Sequence, residues 1–348
     1  MPIHHLTNSW ILETEHTAYA LGLDSGGRLV NFYWGERLLS PSDYPTQASS
    51  QNWASFSNAG QLAREEYPAE TGLKYIEPCF KAYYADGVRD TVLEFEKAEV
   101  QGAELRIHLM DALEHLGIIL HYRLHETYDL IERWAEVTNR GETAITLERV
   151  LSAQWHLPHK RSYRLSHLYG RWADEWNIKR EALAVGKKIL ESRRITTSHH
   201  GQPWFAVDGG TANEEQGEVW FGALAWSGNW KFIAETTEFG ATRLSLGLND
   251  WDFAWRLKPG ESFSTPAAIY GYTHNGYGEA SRRLHDYTRE QVLPNGKTLR
   301  KVLYNSWEAT TFDVDEASQV ELAKLAAEMG VELFVMDDGE KMDLSFHE

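Results

Sequence analysis

A chain of 348 residues has room for two domains or for one large β domain followed by a smaller part. Its 34 basic and 51 acidic side chains leave a net charge of -17, which excludes nucleic acid and anionic membrane as primary partners but does not oppose an uncharged ligand. One cysteine, Cys79, excludes an intrachain disulfide and suits a reducing compartment.

The N-terminus, Met1-Pro2-Ile3-His4-His5, lacks a basic segment followed by an apolar run, and no stretch is long enough to span a bilayer. The cytoplasm is therefore the expected compartment. From residue 1 to about 275 the chain reads as many short strands, and no repeat or low-complexity tract stands out. Runs such as Ala18–Leu23, Leu105–Leu109, Ile118–Leu124 and Trp204–Val207 alternate or cluster apolar residues. Gly26-Gly27 and Asp86-Gly87 offer hairpin turns. The fourteen Trp are expected mainly between sheets, with Trp134, Trp220, Trp226 and Trp255 inside alternating or apolar runs. Trp53 differs, because it sits in the polar stretch Gln51-Asn52-Trp53-Ala54-Ser55-Phe56-Ser57, just before Glu65-Glu66-Tyr67-Pro68.

No metal or cofactor is expected. Adjacent histidines such as His4-His5 and His199-His200 point to opposite faces of a strand, and no third ligand stands at a useful spacing. The segment Gly271-Tyr272-Thr273-His274-Asn275-Gly276 lacks the strand, helix and acidic residue of a nucleotide loop. Residues 278 to 292 then change character. Ala280, Leu284, Tyr287 and Gln291 recur at helical spacing before Pro294-Asn295-Gly296-Lys297, which describes a linker helix and a loop.

Beyond it, Val302–Tyr304 and Val331–Met336 are short apolar runs suited to strands buried on two faces. Between them, Asp313 or Asp315 can cap a helix whose apolar face is Val320, Leu322, Leu325 and Ala326, and Gly330 ends it. Strand, crossover and strand make one βαβ unit, the opening of a parallel α/β barrel. Trp307 and the Asp337-Asp338 pair then emerge at neighbouring strand ends, on the face where such barrels bind substrate. Two adjacent acids usually form a solvated turn. Here the neighbouring Trp favours a sugar site, since an aromatic face accepts the C–H side of a pyranose and carboxylates accept its hydroxyl hydrogens.

The run Tyr304-Asn305-Ser306-Trp307-Glu308-Ala309-Thr310, with Phe312-Asp313 and then Phe334-Val335-Met336-Asp337-Asp338-Gly339, resembles the barrel opening of bacterial α-galactosidases of glycoside hydrolase family 36. Softer matches stand upstream in the same order: Glu66-Tyr67-Pro68, Thr138-Asn139-Arg140-Gly141, Ser192 with Ser198-His199, Trp226-Ser227-Gly228-Asn229, Phe253-Ala254-Trp255 and Pro259-Gly260-Glu261-Ser262-Phe263. The resemblance implies a mainly β chain: a large N-terminal β-supersandwich over 1–277, a linker helix and loop over 278–298, and an incomplete (β/α)8 barrel from 299 to 348. It implies retaining hydrolysis of terminal α-galactosides of the melibiose or raffinose type, with Trp307, Asp337 and Asp338 at galactose-binding positions. It also implies a homo-oligomer in which the sandwich, through Trp53 and Lys74, reaches a neighbouring subunit's site.

Two departures accompany the resemblance. The family pattern after Tyr-Pro contains Gly-Asp-Phe-Arg-x-Pro, where this chain has Thr71-Gly72-Leu73-Lys74-Tyr75-Ile76-Glu77-Pro78, so Lys74 stands nearest the Arg but offers a point charge rather than a planar fork. After Asp337-Asp338-Gly339 the sequence leaves the family pattern at once, and the Lys-Trp-Asp motif that carries the family's nucleophile does not occur, nor does that of its acid/base. Asn249-Asp250-Trp251-Asp252-Phe253 comes nearest, but it alternates like a strand within the sandwich region and reads as structural. A retaining hydrolase needs two carboxylates roughly 5 Å apart across the scissile bond, which neighbouring strand-end residues with diverging side chains do not supply. The expectation is a product cut off early in its barrel and inactive alone. The alternative from another class is a non-catalytic carbohydrate-binding or oligomerisation module, since sandwiches of this kind serve many functions.

Overall fold

The alternation in the sequence is realised as antiparallel sheet. In the paired strands Leu116–His125 and Leu130–Asn139, Ile118, Leu120 and Tyr122 lie opposite Val137, Ala135 and Arg133, and all six are buried while the residues between them reach toward solvent. The computed structural model describes residues 2–47, 63–71, 74, 76–159 and 162–338, and its chain divides into two compact units, Met1–Asp286 and Tyr287–Glu348.

The first unit is built from three sheets. A four-stranded meander runs from Ile3 to Glu36, and its last hairpin turns through Gly27, whose φ of 77° lies in the left-handed region that glycine enters without steric cost. A six-stranded sheet is organised on the long strand Ile145–His156, which pairs with Phe80–Tyr83, Trp255–Leu257 and Thr242–Leu248. The ten-stranded sheet runs from Asp174–Ala182 at one edge to Glu94–Gln101 at the other. Residues 150 to 156 are all buried, including Ser152, Gln154 and His156, because this end of the strand is covered on both faces. One aromatic from each sheet meets at the centre. Trp34, Trp155 and Tyr270 have ring centroids 5.1–5.8 Å apart, and all three are within the main core. The expected mainly β sandwich is what the chain forms.

Of the four tryptophans expected between sheets, two depart from that packing. Trp220 is buried and donates its indole N–H to the Trp34 carbonyl at 3.0 Å. Trp134 is half-buried, stacked on His121 at 4.6 Å with the Arg123 guanidinium over its ring. Trp226 and Trp255, in contrast, are 46% and 50% exposed. Trp255 opens a three-residue edge strand from which only Leu257 reaches the core, and Trp226 follows the end of strand Val219–Leu224. Residues 249–253 are also no strand. Asn249 accepts the Trp251 N–H on its side chain at 3.0 Å and Asp252 takes a φ of 54°, so polar side-chain turn chemistry overrides the alternating pattern.

Helix Gly276–Tyr287 follows the last strand of the sandwich, Ala268–Thr273, so the segment 271–276, expected to lack both a strand and a helix, in fact joins one to the other. Its Arg283 donates to the Tyr272 carbonyl at 2.8 Å and pairs with Asp129, while the Tyr277 hydroxyl bonds Asp208 and Ser166. A Cβ on Gly276 would fall 2.3 Å from the Asn213 carbonyl oxygen, so the helix starts where only glycine fits. No helix among the described residues is long and apolar enough to cross a membrane.

In the second unit, strands Leu303–Asn305 and Leu333–Val335 pair in parallel, with Tyr304 beside Phe334 and their rings stacked at 5.3 Å. The crossover holds the short turn of helix Trp307–Thr310 and the helix Glu316–Glu328. Asp315 caps the latter by accepting the Ser318 N–H at 3.0 Å, and Gly330 leaves it with φ 87°. The βαβ unit is present as expected, but the expected apolar helix face is only partly covered. Ala326 is buried as expected, but Val320 and Leu325 are about half exposed, and the polar Gln319 is buried. Two three-residue strands offer too little surface to cover a helix face.

Candidate substrate-binding site

Parallel pairing sets the geometry of the site, because Asn305 ends the first strand directly beside Val335. Past that point the two chains stay tied: the Ser306 N–H donates to the Val335 carbonyl at 3.0 Å, and the buried Ser306 hydroxyl accepts the Asp337 N–H at 3.2 Å. Asn305 then reaches both expected ligand residues with one side chain. Its amide oxygen accepts the Trp307 N–H at 2.8 Å and its amide nitrogen donates to Asp337 Oδ2 at 2.7 Å. The two partners are a fixed donor and a fixed acceptor, so only one orientation of the amide satisfies both.

The two acids are not equivalent. Asp337 accepts from Asn305 on one oxygen and from the Asp338 N–H, at 2.9 Å, on the other. The Asn305 hydrogen bond first, and the Asp338 N–H second, hold its carboxyl below the usual carboxylate range. The Asp338 carboxylate is exposed and makes no hydrogen bond or ion pair among the described residues. Trp307 is half-buried, with its ring edge-on to Phe312 at 4.9 Å and 89°. Trp307, Asp337 and Asp338 thus lie at adjoining strand ends, as the sequence reading expects.

Chemically this is an array of acceptors beside an aromatic ring. A carboxylate held ionised is a poor proton donor, so Asp337 is unsuited to protonating a leaving group. Sequence reasoning did not assign Asn305 and Ser306 any role. The available signal was their position, two polar residues closing an apolar strand at the rim where the next strand ends in acids.

Lys74, the other expected contributor, lies in the first unit. Its ammonium sits 2.7 Å from Glu65 Oε2, and its side chain is mostly buried. Trp53 lies outside the described residues.

Comparison with known proteins decides the family. Residues 27–258 match the family model described as the glycosyl hydrolase family 36 N-terminal domain, and residues 262–341 match the one described as melibiase. The chain belongs to glycoside hydrolase family 36. It is similar to the α-galactosidase AgaA of Geobacillus stearothermophilus, at 32% identity over 96% of this chain and 49% of the relative. The α-galactosidase Mel36A of Lactobacillus acidophilus is 29% identical over 94% of this chain and 49% of its own length. Among solved structures, the family 36 α-galactosidase AgaB of Geobacillus stearothermophilus superposes with a TM-score of 0.89 at 31% identity, covering 97% of this chain and 50% of that one. This family 36 chain therefore spans about half the length of the curated relatives it matches. A crystal structure of an AgaA variant, A355E D548N, in complex with raffinose also superposes, with a TM-score of 0.86 at 31% identity over 95% of this chain and 50% of that one.

Proposed function

We propose that the polypeptide serves the retaining hydrolysis of terminal α-D-galactosides, and that residues 303–338 hold the galactose ring. The observation that carries this reading is the Asn305 amide, which fixes Trp307 and Asp337 together and leaves Asp338 free at the same rim. In this reading the Trp307 ring takes the apolar face of the sugar, while Asp337 and Asp338 accept its hydroxyl hydrogens. Neither is the nucleophile or the acid/base, since retention needs two carboxylates across the anomeric carbon and Asp337 is already engaged on both oxygens. Oligosaccharides of the melibiose, raffinose and stachyose type are the proposed substrates, in keeping with the raffinose and stachyose complexes of a relative.

For these 348 residues by themselves, the engaged state of Asp337 favours a second reading, sugar binding without turnover. Purified chain should release no chromophore from a chromogenic α-galactoside, and measurable release would overturn this. It should bind galactose weakly, with Asp338→Asn lowering the affinity about tenfold, the size expected for one hydrogen bond to a charged group. We further propose the division 1–277, 278–298 and 299–348 as sandwich, linker and start of the barrel. We place the protein in the cytoplasm, in keeping with its single buried cysteine. Trp53 and Lys74 stand as the residues through which a homo-oligomer would reach a neighbouring site, and Lys74 would have to leave Glu65 to do so.

A further inference from the structure

Three of the stretches that resemble the family converge on one open groove in the first unit. Trp226, Phe253, Trp255 and Phe263 line it together with Trp251, and its volume is about 720 Å³. Trp226, Trp251 and Trp255 are each about half exposed, whereas Trp34, Trp155, Trp220 and Trp230 are almost wholly buried. The exposed rings are held in place. Trp255 packs on Phe263 at 5.3 Å and Phe263 on Phe253 at 5.8 Å, the Trp226 indole lies so close over Gly228 that a Cβ there would fall 2.7 Å from its nitrogen, and the Arg193 guanidinium sits 3.9 Å from the Trp251 ring centre. Buried Asn249 fixes the Trp251 backbone and also donates to the carbonyls of Ser192 and Trp230.

Polar groups complete the groove. Asn229 accepts the Ile195 N–H on its amide oxygen at 2.6 Å, and its amide nitrogen has no partner among the described residues. Asp252, carried outward on its left-handed turn, likewise has a carboxylate without a partner among them. Half-exposed indoles flanked by one spare amide donor and one spare carboxylate match the C–H faces and hydroxyls of a sugar chain. Charge decides between occupants. Asp252 is the single ionisable side chain lining the groove among the described residues, and the nearby Arg193 guanidinium is already paired with Glu191, so an anionic partner meets a carboxylate and no unpaired cation there, and a second copy would bring another net charge of -17 against the first. A neutral polyhydroxylated ligand meets neither obstacle.

We propose that this groove is an oligosaccharide-binding site on the sandwich, separate from the Trp307–Asp338 rim and independent of any role assigned to that rim. Titration calorimetry of the full chain with stachyose and with cellotetraose, at millimolar concentrations, tests it. At least one of the two should bind saturably, the Trp251→Ala/Trp255→Ala double variant should weaken that binding at least tenfold, and Asp338→Asn should leave a component of it unchanged. Because the substituted rings are exposed, the double variant should keep the wild-type circular dichroism. Should it not fold, Asp252→Asn provides the same test, with an expected loss of about threefold. Absence of saturable binding by either sugar would overturn the proposal, and so would binding that Asp338→Asn abolishes and the groove variants leave intact. A concentration-dependent dimer that the Trp double variant dissolves, without any sugar response, would overturn it in favour of self-association.

Discussion

Arg133 is the residue that most tests the packing rules, because its position in an alternating strand assigns it to the core. It is fully buried, and so is its partner Glu66, at 2.6 Å. Burial by itself would disfavour the guanidinium's charge, but Glu66 chiefly, with Tyr122 and Tyr19, raises its pKa above the ordinary arginine value. Tyr19 and Tyr122 both donate to Glu66, and the two terminal nitrogens of Arg133 also donate to the carbonyls of Gln154 and Glu66, while its buried Nε has no partner among the described residues. Such a pair is worth little in net stability, yet breaking it strands a buried charge at a cost of about 3–5 kcal/mol. Glu66→Ala or Arg133→Ala should each lower the denaturation midpoint sharply, while an apolar replacement of both should be much milder. A double-mutant cycle in urea measures this.

His156 gives the sandwich a pH dependence. Burial first, then the nearby Arg64 and Arg243, push its pKa well below the ordinary histidine value, and its Nε2 donates to the Glu65 carbonyl at 2.9 Å. Between the folded pKa and the unfolded value of about 6.5, the unfolded state binds more protons, so stability falls as pH drops through that window. Urea midpoints at pH 7.5 and 5.5 should differ more in the natural protein than in His156→Gln. The depressed carboxyls of Glu77 and Asp250, each held by Lys and Arg partners against the opposing effect of burial, add a further loss only at lower pH, in the carboxylate range.

At the scale of elements, the contrast is between sheets with many partners and a sheet with two strands. Strands Leu116–His125 and Leu130–Asn139 lie inside a ten-stranded sheet over a shared core, so their amides open only with large parts of the unit. Leu303–Asn305 and Leu333–Val335 have one neighbour each, and Leu303 and Leu333 are 53% and 42% exposed. A two-stranded sheet of this length is marginal in water. Amide exchange in the chain as a monomer should therefore be much faster at 303–305 and 333–335 than at 118–137. Uniform slow exchange would show that residues 301–336 are stabilised by more than their own strand pair.

Taken whole, the chain falls into two compact units that meet in sequence at residues 286 and 287. Just beyond, the segment from Leu293 to Val302 is mostly exposed and carries no helix or strand. Limited proteolysis should cut there first and leave a fragment of about 290 residues that keeps the β-sheet spectrum, since the main core lies entirely within residues 3–272. A fragment that unfolds on release would show that the sandwich depends on the remainder.

The sequence by itself determined the mainly β class, the closing βαβ unit and the family, though not the turn at residues 249–253. Period-two alternation marks a strand with one buried face, Asp315 and Gly330 mark the ends of a helix, and the strings around Trp307 and Asp337 are local enough to be read without coordinates. Only the tertiary structure decided which tryptophans are core and which are surface, because Trp220 and Trp255 sit in equally alternating runs and differ in what the rest of the chain lays against them. The same holds for the partner of Arg133, which lies 67 residues away, and for Asn305, whose task is set by an acid 32 residues later. Alternation records that a side chain faces inward. Which group meets it there depends on how the sheets pack, and that is a property of distant segments acting together.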